Sequence, residues 1–411
     1  MLRIDNQVVD ITSDVKWIGI RDYDIKTFDI VMSTEFGTTY NSYYINAGKK
    51  AIVEVAKAKF SDTYINKLKS VCNPSELSYI ILDHTEPDHS GSLGLILDLA
   101  PEAVVVGSGN AIRYMEDIIN VPFKSLVVKD GDTLDLGNKK LKFIAAPNLH
   151  WPDSIYTYLE EDKILFTCDS FGAHYCTEEI YSDFSNDHLS AFRYYFDVIL
   201  KPFSRFMLRA IDRISQLDID FICSGHGPVH RGESVSKAID LSKQYSSDYM
   251  ELTRTDGRRI LVAYVSAYGY TKDAAELIAA TMHGWDGIEA IAIDIENISL
   301  AALESEIIRS EGIIIGSPTI NQNTLLPVYT MFALINPIRD RGKLAGSFGS
   351  YGWSGEGAKI INDNLKLLKF NVPFDPCMFR FSPGGLKTGA IKEFGNNFAT
   401  KFLELCGKGQ A

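Results

Sequence analysis

The hydrophobic pattern along the chain predicts two regions with different architecture. The first region contains short apolar runs rich in β-branched and aromatic residues, at 38–45, 79–82, 103–107 and 141–145. Helical patterns separate some of these runs, which indicates a mixed α/β fold. In the second region, apolar strands alternate with helices at 260–264, 274–282, 313–315, 328–335, 344–348 and 358–368. This alternation is typical of a parallel sheet wound by helices.

A polar, helical segment between about residues 232 and 257 separates the two regions. Ser, Lys, Asp and Glu dominate this segment, as expected of a connection between domains. We therefore predict a first domain at residues 1–250 and a second domain at residues 258–411.

Composition and charge exclude several classes of protein. The chain has 411 residues, of which 45% are hydrophobic and 23% are charged, so neither disorder nor a collagen-like structure is expected. The net charge of -12 repels a nucleic-acid backbone, so nucleic acid is not an expected partner. Every apolar run is much shorter than the roughly 20 residues that span a bilayer, and residues 1–6 lack the apolar core of a signal peptide. We expect a soluble, cytoplasmic protein with no membrane partner.

Cysteine and histidine are distributed differently along the chain. The six cysteines are scattered and no pair has C-x-x-C spacing, so we expect reduced, mostly buried thiols rather than a zinc knuckle. Seven of the eight histidines lie between His84 and His230. This asymmetry predicts a metal site in the first half of the chain and other chemistry in the second.

The densest group of potential metal ligands follows the apolar run at 79–82. His84, Glu86, Asp88 and His89 occupy positions i, i+2, i+4 and i+5 of one short loop. An extended loop aims the first three side chains to one side, and the following turn brings His89 beside them. One segment can therefore serve two metal ions.

Three further candidates follow other apolar strands. His150, Asp169 and His226 each come at the carboxyl end of such a strand, where open sheets gather their functional groups. Four separate segments are thus expected to deliver ligands to one edge. Asp153 and His174 are expected to orient ligands by hydrogen bonding. We assign no metal role to His188, His230 or His283.

This spaced set resembles the metallo-β-lactamase fold, in which an H-x-H-x-D-H loop holds two zinc ions. Here Glu86 takes the position of the second histidine, and the added carboxylate shifts the preference from zinc toward iron or manganese. The resemblance implies that one iron is bound by His84, Glu86 and His150. It implies that the other iron is bound by Asp88, His89 and His226, with Asp169 as the bridge.

In the second region, a loop rich in hydroxyl groups follows the first strand. Ser266, Gly269 and Thr271 precede a helix, so hydroxyls and free helical N–H groups can cradle a phosphate dianion. Neither G-x-x-x-x-G-K-[ST] nor G-x-G-x-x-G is present at this loop, so a nicotinamide dinucleotide is not indicated. Two further loops follow later strands, and Trp353 in the last of them can stack on a ring while Gly352 permits close backbone approach.

The three loops together resemble flavodoxin, in which the first holds the FMN phosphate and the others flank the isoalloxazine ring. The resemblance implies that FMN is bound by Ser266, Ala267, Tyr268, Gly269, Tyr270, Thr271, Ser317, Pro318, Thr319, Ile320, Asn321, Ser350, Tyr351, Gly352, Trp353, Ser354 and Gly355.

The two halves together resemble the flavodiiron protein family. The resemblance implies an N-terminal metallo-β-lactamase-like αββα sandwich followed by a C-terminal flavodoxin-like doubly wound parallel sheet. It also implies reduction of O2 to water, of NO to N2O, or of both, at a non-haem diiron site with two irons per chain, using electrons from FMN. Tyr195 and His174 are the expected catalytic residues, because Tyr195 resembles a family tyrosine near the diiron pocket.

The resemblance extends to assembly and to the pocket lining. It implies a head-to-tail homodimer or a dimer of dimers, in which the flavin of one subunit lies against the metals of its partner. One departure concerns the segment at 22–29, where many members carry a Trp and a His and this chain has Tyr23 and Asp29.

Two alternatives from other classes remain open from the sequence. The first is a dinuclear metallohydrolase fused to a flavodoxin-like domain, although Glu86 argues against it. The second is an electron carrier with a vestigial metal site. Because the chain ends at Ala411 without C-x-x-C knuckles, we expect a separate electron donor, such as a rubredoxin or a reduced deazaflavin.

Overall fold

The chain divides into two units, Met1–Tyr249 and Met250–Ala411, in the computed structural model. The structure describes residues 7–29, 32–253, 258–285 and 287–408. The polar segment predicted to connect the domains forms a helix at Glu233–Leu252, and residues 254–257 lie outside the described residues.

Two large sheets form the centre of the first unit. The strands are β1 Val9–Asp10, β2 Val15–Trp17, β3 Ile20–Asp22, β4 Thr27–Phe28, β5 Met32–Ser33, β6 Thr38–Tyr40, β7 Tyr43–Ile45, β8 Lys50–Val53, β9 Leu77–Leu82, β10 Val104–Gly107, β11 Ser125–Val127, β12 Thr133–Asp135, β13 Lys140–Ala145, β14 Ile155–Leu159, β15 Ile164–Cys168, β16 Phe221–Ser224 and β17 His230–Arg231. One sheet has the order β1-β2-β7-β8-β9-β10-β11 and the other has the order β12-β13-β14-β15-β16-β17. Two small ribbons pair β3 with β6 and β4 with β5.

Helices cover the outer faces of both sheets. The helices of this unit are α1 Ser61–Val71, α2 Pro87–Ser90, α3 Leu93–Leu99, α4 Gly109–Ile119, α5 Asn186–Tyr195, α6 Ser204–Ile214 and α7 Glu233–Leu252, of which α7 ends three residues beyond the unit boundary at Tyr249. Helix α5 runs directly into a π-helix at Phe196–Leu200. Short 3-10 turns lie at Ala58–Phe60, Pro74–Glu76 and Lys201–Phe203.

Alternation along β9 shows how the layers are built. Ile80 and Leu82 pack with the helices beside the first sheet, whereas Ile81 packs between the two sheets with residues such as Phe143 and Phe166. A third cluster joins the second sheet to its own helices, through residues such as Phe192. Because successive side chains of a strand point to opposite faces, this arrangement requires helix, sheet, sheet and helix in succession.

The second unit is a five-stranded parallel sheet with the order β19-β18-β20-β21-β22. Its strands are β18 Arg259–Tyr264, β19 Glu289–Asp294, β20 Gly312–Gly316, β21 Leu344–Tyr351 and β22 Cys377–Arg380. Its helices are α8 Tyr270–His283, α9 Leu300–Arg309, α10 Leu326–Leu334, α11 Pro337–Asp340, α12 Glu356–Leu367 and α13 Lys387–Lys408.

Both faces of this sheet are buried. Ile260 and Val262 join one core cluster, whereas Leu261 and Ala263 join another on the opposite face. A strand buried on both faces reads as a continuous apolar run, as the sequence pattern of β18 does. This is the predicted doubly wound parallel sheet. Among the residues that the structure describes, every helix is too short or too polar to cross a bilayer.

Candidate metal centre and flavin loops

The predicted metal ligands lie at the ends of strands from both sheets of the first unit. The loop after β9 carries His84 and Glu86, and the first turns of the short helix α2 carry Asp88 and His89. The other three candidates follow strands of the second sheet: His150 comes after β13, Asp169 after β15 and His226 after β16. The structure brings all seven predicted side chains together.

One group of donor atoms surrounds the Oδ2 atom of Asp169. The Nε2 atoms of His84 and His150 each lie 3.6 Å from this oxygen. The Oε2 atom of Glu86 lies 3.3 Å from His84 Nε2 and 3.1 Å from His150 Nε2. These four residues therefore offer two imidazoles and two carboxylates to one point.

A second group surrounds the Oδ1 atom of the same aspartate. The Nε2 atoms of His89 and His226 lie 3.3 Å and 3.6 Å from Asp169 Oδ1. The Oδ2 atom of Asp88 lies 3.4 Å from His89 Nε2 and 3.0 Å from His226 Nε2. Asp169 thus presents one oxygen to each group, which is the arrangement of a bridging carboxylate.

The outer nitrogens of three ligand histidines have polar partners. His84 Nδ1 lies 3.1 Å from Asp153 Oδ2, as the sequence predicts for an orienting residue. His226 Nδ1 lies 2.6 Å from the carbonyl oxygen of Thr39. His89 Nδ1 lies 3.0 Å from Glu54 Oε2. In each case the outer contact leaves Nε2 free to face the group of ligands.

Sequence reasoning missed Glu54 and the Thr39 carbonyl. A main-chain carbonyl leaves no mark on the sequence. Glu54 does leave a signal, because it is an acidic residue that directly follows the apolar strand β8, as the predicted ligands follow theirs. That signal is visible only once β8 is known to pair with β9.

The predicted catalytic residues lie beside the ligands. The Tyr195 hydroxyl donates a hydrogen bond to Asp169 Oδ1 at 2.8 Å, at the point where α5 becomes a π-helix. Its contact in the structure is thus the bridging carboxylate, and a direct role toward substrate stays a prediction. His174 is buried, with Nδ1 2.9 Å from Thr38 Oγ1 and its ring packed edge-on against His226 and Tyr195.

The segment at 22–29 also reaches this region. The pKa of Asp29 is raised, first by partial burial and then by the carboxylates of Glu86 and Asp88. An acidic group therefore lies within electrostatic range of the predicted metal ligands.

The electrostatics of the site favour positive charge. Burial alone lowers the pKa of His84, but hydrogen bonds to Asp153 and Glu86 raise it to about 10. Burial alone raises the pKa of Glu86, yet hydrogen bonds from His150 and His84 lower it to about 2. The carboxylates thus favour cationic partners in a largely buried region, which suits the binding of metal cations.

The donor set fits two metal ions. With metal–ligand bonds of about 2.1 Å, ligands at right angles lie about 3.0 Å apart and ligands at tetrahedral angles about 3.4 Å apart. The observed separations of 3.0 to 3.6 Å agree with these values. Asp88 Oδ1 is buried without a hydrogen-bond partner in the described part of the chain, so it retains a free lone pair. The mixture of imidazole and carboxylate favours iron or manganese over zinc.

The predicted flavin loops lie at the carboxyl ends of neighbouring strands in the second unit. The first joins β18 to α8, the second follows β20, and the third joins β21 to α12. Of the predicted residues, Tyr270 and Thr271 begin α8, and Ser350 and Tyr351 end β21. Since β19 and β20 flank β18 on opposite sides, the first two loops meet at the switch point where doubly wound sheets bind ligands.

Hydrogen bonds join the three loops to one another. Thr271 Oγ1 lies 3.0 Å from Ser350 Oγ, which links the first loop to the third. The Thr319 amide donates to the Ser350 carbonyl at 2.8 Å, which links the second loop to the third. Gly269 precedes α8 with a φ of 84° and provides no side chain to cap the helix. Ser266 Oγ accepts a hydrogen bond from the Lys272 amide at 3.2 Å, so the donors that the first turn of α8 offers to a phosphate are the amides before Lys272.

Two aromatic side chains of these loops are unusually exposed. Tyr268 is 83% exposed and Trp353 is 84% exposed. Large exposed aromatic surfaces in loops at one edge of the sheet suit a flat, partly apolar ring system. The loops therefore fit a flavin mononucleotide.

Comparison with known proteins identifies the family. A model described as ODP family beta lactamase matches residues 38–227, and a flavodoxin model matches residues 262–394. The chain is 36% identical over 405 residues to the flavo-diiron protein FprA2 of Clostridium acetobutylicum, covering 95% of this chain and 98% of that protein. The chain belongs to the flavodiiron protein family. These matches confirm the predicted family and both predicted domain folds.

Other flavodiiron relatives extend the comparison. The type A flavoprotein fprA of Rhodobacter capsulatus is 32% identical over 395 residues, which cover 95% of this chain and 91% of that protein. The solved structure of the rubredoxin oxygen:oxidoreductase from Desulfovibrio gigas matches with a TM-score of 0.65 and 26% identity, covering 97% of this chain and 99% of that chain. As a flavodiiron protein, the chain has FMN and a non-haem diiron pair as cofactors. The relatives favour an oxidoreductase over the metallohydrolase alternative.

Proposed function

We propose that the chain reduces O2 to water, NO to N2O, or both, at a diiron site that receives electrons from FMN. The observation that supports this most strongly is the division of Asp169, whose Oδ2 atom faces His84 and His150 while its Oδ1 atom faces His89 and His226. A shared carboxylate holds two metal positions close enough to act on one diatomic molecule.

We assign the first iron to His84, Glu86, His150 and Asp169, and the second to Asp88, His89, His226 and Asp169. When bound, two ferrous ions and a reduced flavin supply four electrons, as the reduction of O2 to water requires, and two of these suffice for two NO molecules. The chain's own residues fix the geometry. Asp153, Glu54 and the Thr39 carbonyl lie against the outer nitrogens of three ligand histidines.

We also propose how electrons arrive. The Desulfovibrio gigas relative is named for rubredoxin and oxygen, which supports a rubredoxin as the separate donor and O2 as one substrate. A reduced deazaflavin is the alternative donor. A head-to-tail homodimer or a dimer of dimers, with the flavin of one subunit serving the metals of its partner, is part of the proposal, as is a cytoplasmic location.

The proposal is tested by anaerobic reduction of the purified protein followed by rapid mixing with O2 or NO while flavin and iron absorbance are recorded. Both chromophores should reoxidise with substrate consumption. Metal analysis separates the alternatives: two irons per chain support this function, zinc supports a hydrolase, and absence of metal supports a vestigial site.

A variant tests the bridging residue. Asp169→Ala removes one ligand from each metal and should abolish turnover while FMN remains bound, because the flavin loops belong to the other unit. Asp117→Ala, which removes an exposed carboxylate on α4, should retain full turnover. Turnover retained in Asp169→Ala would remove this residue from the bridging role.

A further inference from the structure

Glu54 is a buried carboxylate held in an uncommon backbone conformation. It directly follows β8 and is 2% exposed. Its φ of 59° lies in the left-handed region, which glutamate rarely adopts. A buried carboxyl group on a residue whose backbone lies in the left-handed region calls for a compensating interaction.

The carboxylate of Glu54 contacts both ends of the metal loop. Its Oε1 atom accepts hydrogen bonds from the backbone amides of Asp83 at 2.6 Å and His84 at 3.3 Å. Its Oε2 atom is buried 3.0 Å from His89 Nδ1, an ion-pair contact, and makes no hydrogen bond within the described residues. One carboxylate therefore ties the start of the loop to the ring of a ligand at its end.

At each proposed metal position, a buried carboxylate lies behind one of the ligand histidines. At the first position, His84 Nδ1 faces the fully buried carboxylate of Asp153, which also accepts hydrogen bonds from Thr85. At the second position, His89 faces Glu54. The remaining second-position histidine, His226, faces only a neutral carbonyl. Each metal position is thus supported by one anionic contact behind one histidine.

We propose that Glu54 is the positioning residue for the metal bound by Asp88, His89 and His226, and that Asp153 has this role for the other metal. The inference rests on the proposed diiron function. With the metal bound, His89 donates its Nδ1 proton to Glu54. This hydrogen bond fixes the tautomer, directs the Nε2 lone pair toward the metal and makes the imidazole a stronger ligand. Each of the two carboxylates therefore orients a ligand of a different metal ion.

The test compares Glu54→Gln with Asp153→Asn in full-length protein loaded with iron-57. Both variants keep side-chain size and remove the charge. Mössbauer spectra of the oxidised protein and the rate of iron release to a chelator are measured. In Glu54→Gln, one of the two irons should leave about 10- to 100-fold faster and one of the two spectral components should change. In Asp153→Asn, the other component should change.

A matched control makes the same Asp-to-Asn change at an exposed residue of α4 that is not a predicted metal ligand. Asp117→Asn should leave both iron components as in the wild type, with FMN content measured in every variant. The proposal is overturned if Glu54→Gln leaves both components and both release rates unchanged, or if it alters the same component as Asp153→Asn. Should Glu54→Gln fail to fold, Glu54→Asp is used instead, because it draws the carboxylate back by one carbon. The same single spectral component is expected to change in this variant. Unchanged spectral components overturn the proposal. A wild-type protein that takes up no iron contradicts the proposed function instead.

Discussion

Replacing Gly225 by alanine should disable one metal position although none of the predicted ligand residues is substituted. Gly225 lies between β16 and His226. A Cβ atom at this position would lie 2.5 Å from Cε1 and 3.1 Å from Nδ1 of the His89 ring, and 3.2 Å from the carbonyl carbon of Cys168. These contacts are shorter than van der Waals separation, so the ring must move.

The size of the effect follows from the space around His89. To restore a carbon–carbon separation of about 3.5 Å, the ring must move by about 1 Å. Glu54 at 3.0 Å and the Cys168 sulfur at 3.7 Å restrict that movement. Overpacking of this kind costs about 1–3 kcal/mol of stability. A ligand displaced by about 1 Å lowers turnover about 100-fold.

Iron and FMN content, turnover and urea unfolding would be measured on the Gly225→Ala protein. We expect fewer than two irons per chain, full FMN content and turnover lowered by at least about 100-fold. Gly94→Ala is the control, because a Cβ on this residue of α3 has no neighbour within 4 Å. The Gly94→Ala protein should retain both irons, and its free energy of unfolding should rise by about 0.5–1 kcal/mol. A Gly225→Ala protein with two irons and wild-type turnover would refute the argument.

Three further predictions concern stability and flavin binding. The Lys343 ammonium lies 2.8 Å from the buried carboxylate of Asp340, and Asp340→Asn removes the charge of that partner. The free energy of unfolding of the second unit, measured with urea, should fall by about 3–5 kcal/mol. An unchanged unfolding midpoint contradicts this prediction. Burial lowers the pKa of His188 to about 3 and that of His230 to about 4. Below about pH 6.5 these histidines therefore take up protons in the unfolded chain before they do so in the folded protein. Each residue then lowers the free energy of unfolding by up to about 1.4 kcal/mol per pH unit. His188→Gln should therefore reduce the slope of stability against pH between about pH 6.5 and about pH 4, and an unaltered slope would exclude this contribution. Trp353→Ala should weaken FMN binding to the apoprotein about 2- to 10-fold in a fluorescence titration, while equal affinity would show that the ring does not stack on the flavin.

The ligand loops could be predicted because their chemistry is local. His84, Glu86, Asp88 and His89 lie within six residues, directly after an apolar strand, so spacing and strand direction suffice to place them. The flavin loops could be predicted for the same reason. Each follows the carboxyl end of a strand, and a parallel sheet brings such ends to one edge.

Other features could not be predicted because they depend on distant parts of the chain. Glu54 reaches His89 only because β8 and β9 are neighbours in parallel register, which the apolar pattern of either strand does not encode. Thr271 meets Ser350 across 79 positions of sequence. The hydrogen bond from Tyr195 to Asp169 depends on where α5 packs, and its sequence context shows only an aromatic residue on a helix.

The origin of the metal ligands in two different sheets has a consequence for biogenesis. Each proposed iron position is formed by side chains from the loop after β9 in one sheet and from strand ends of the other. A nascent chain that has completed only the first sheet possesses half of each coordination shell. The complete coordination shell therefore forms only when the two layers have docked, and ions bound there would fasten the layers to each other.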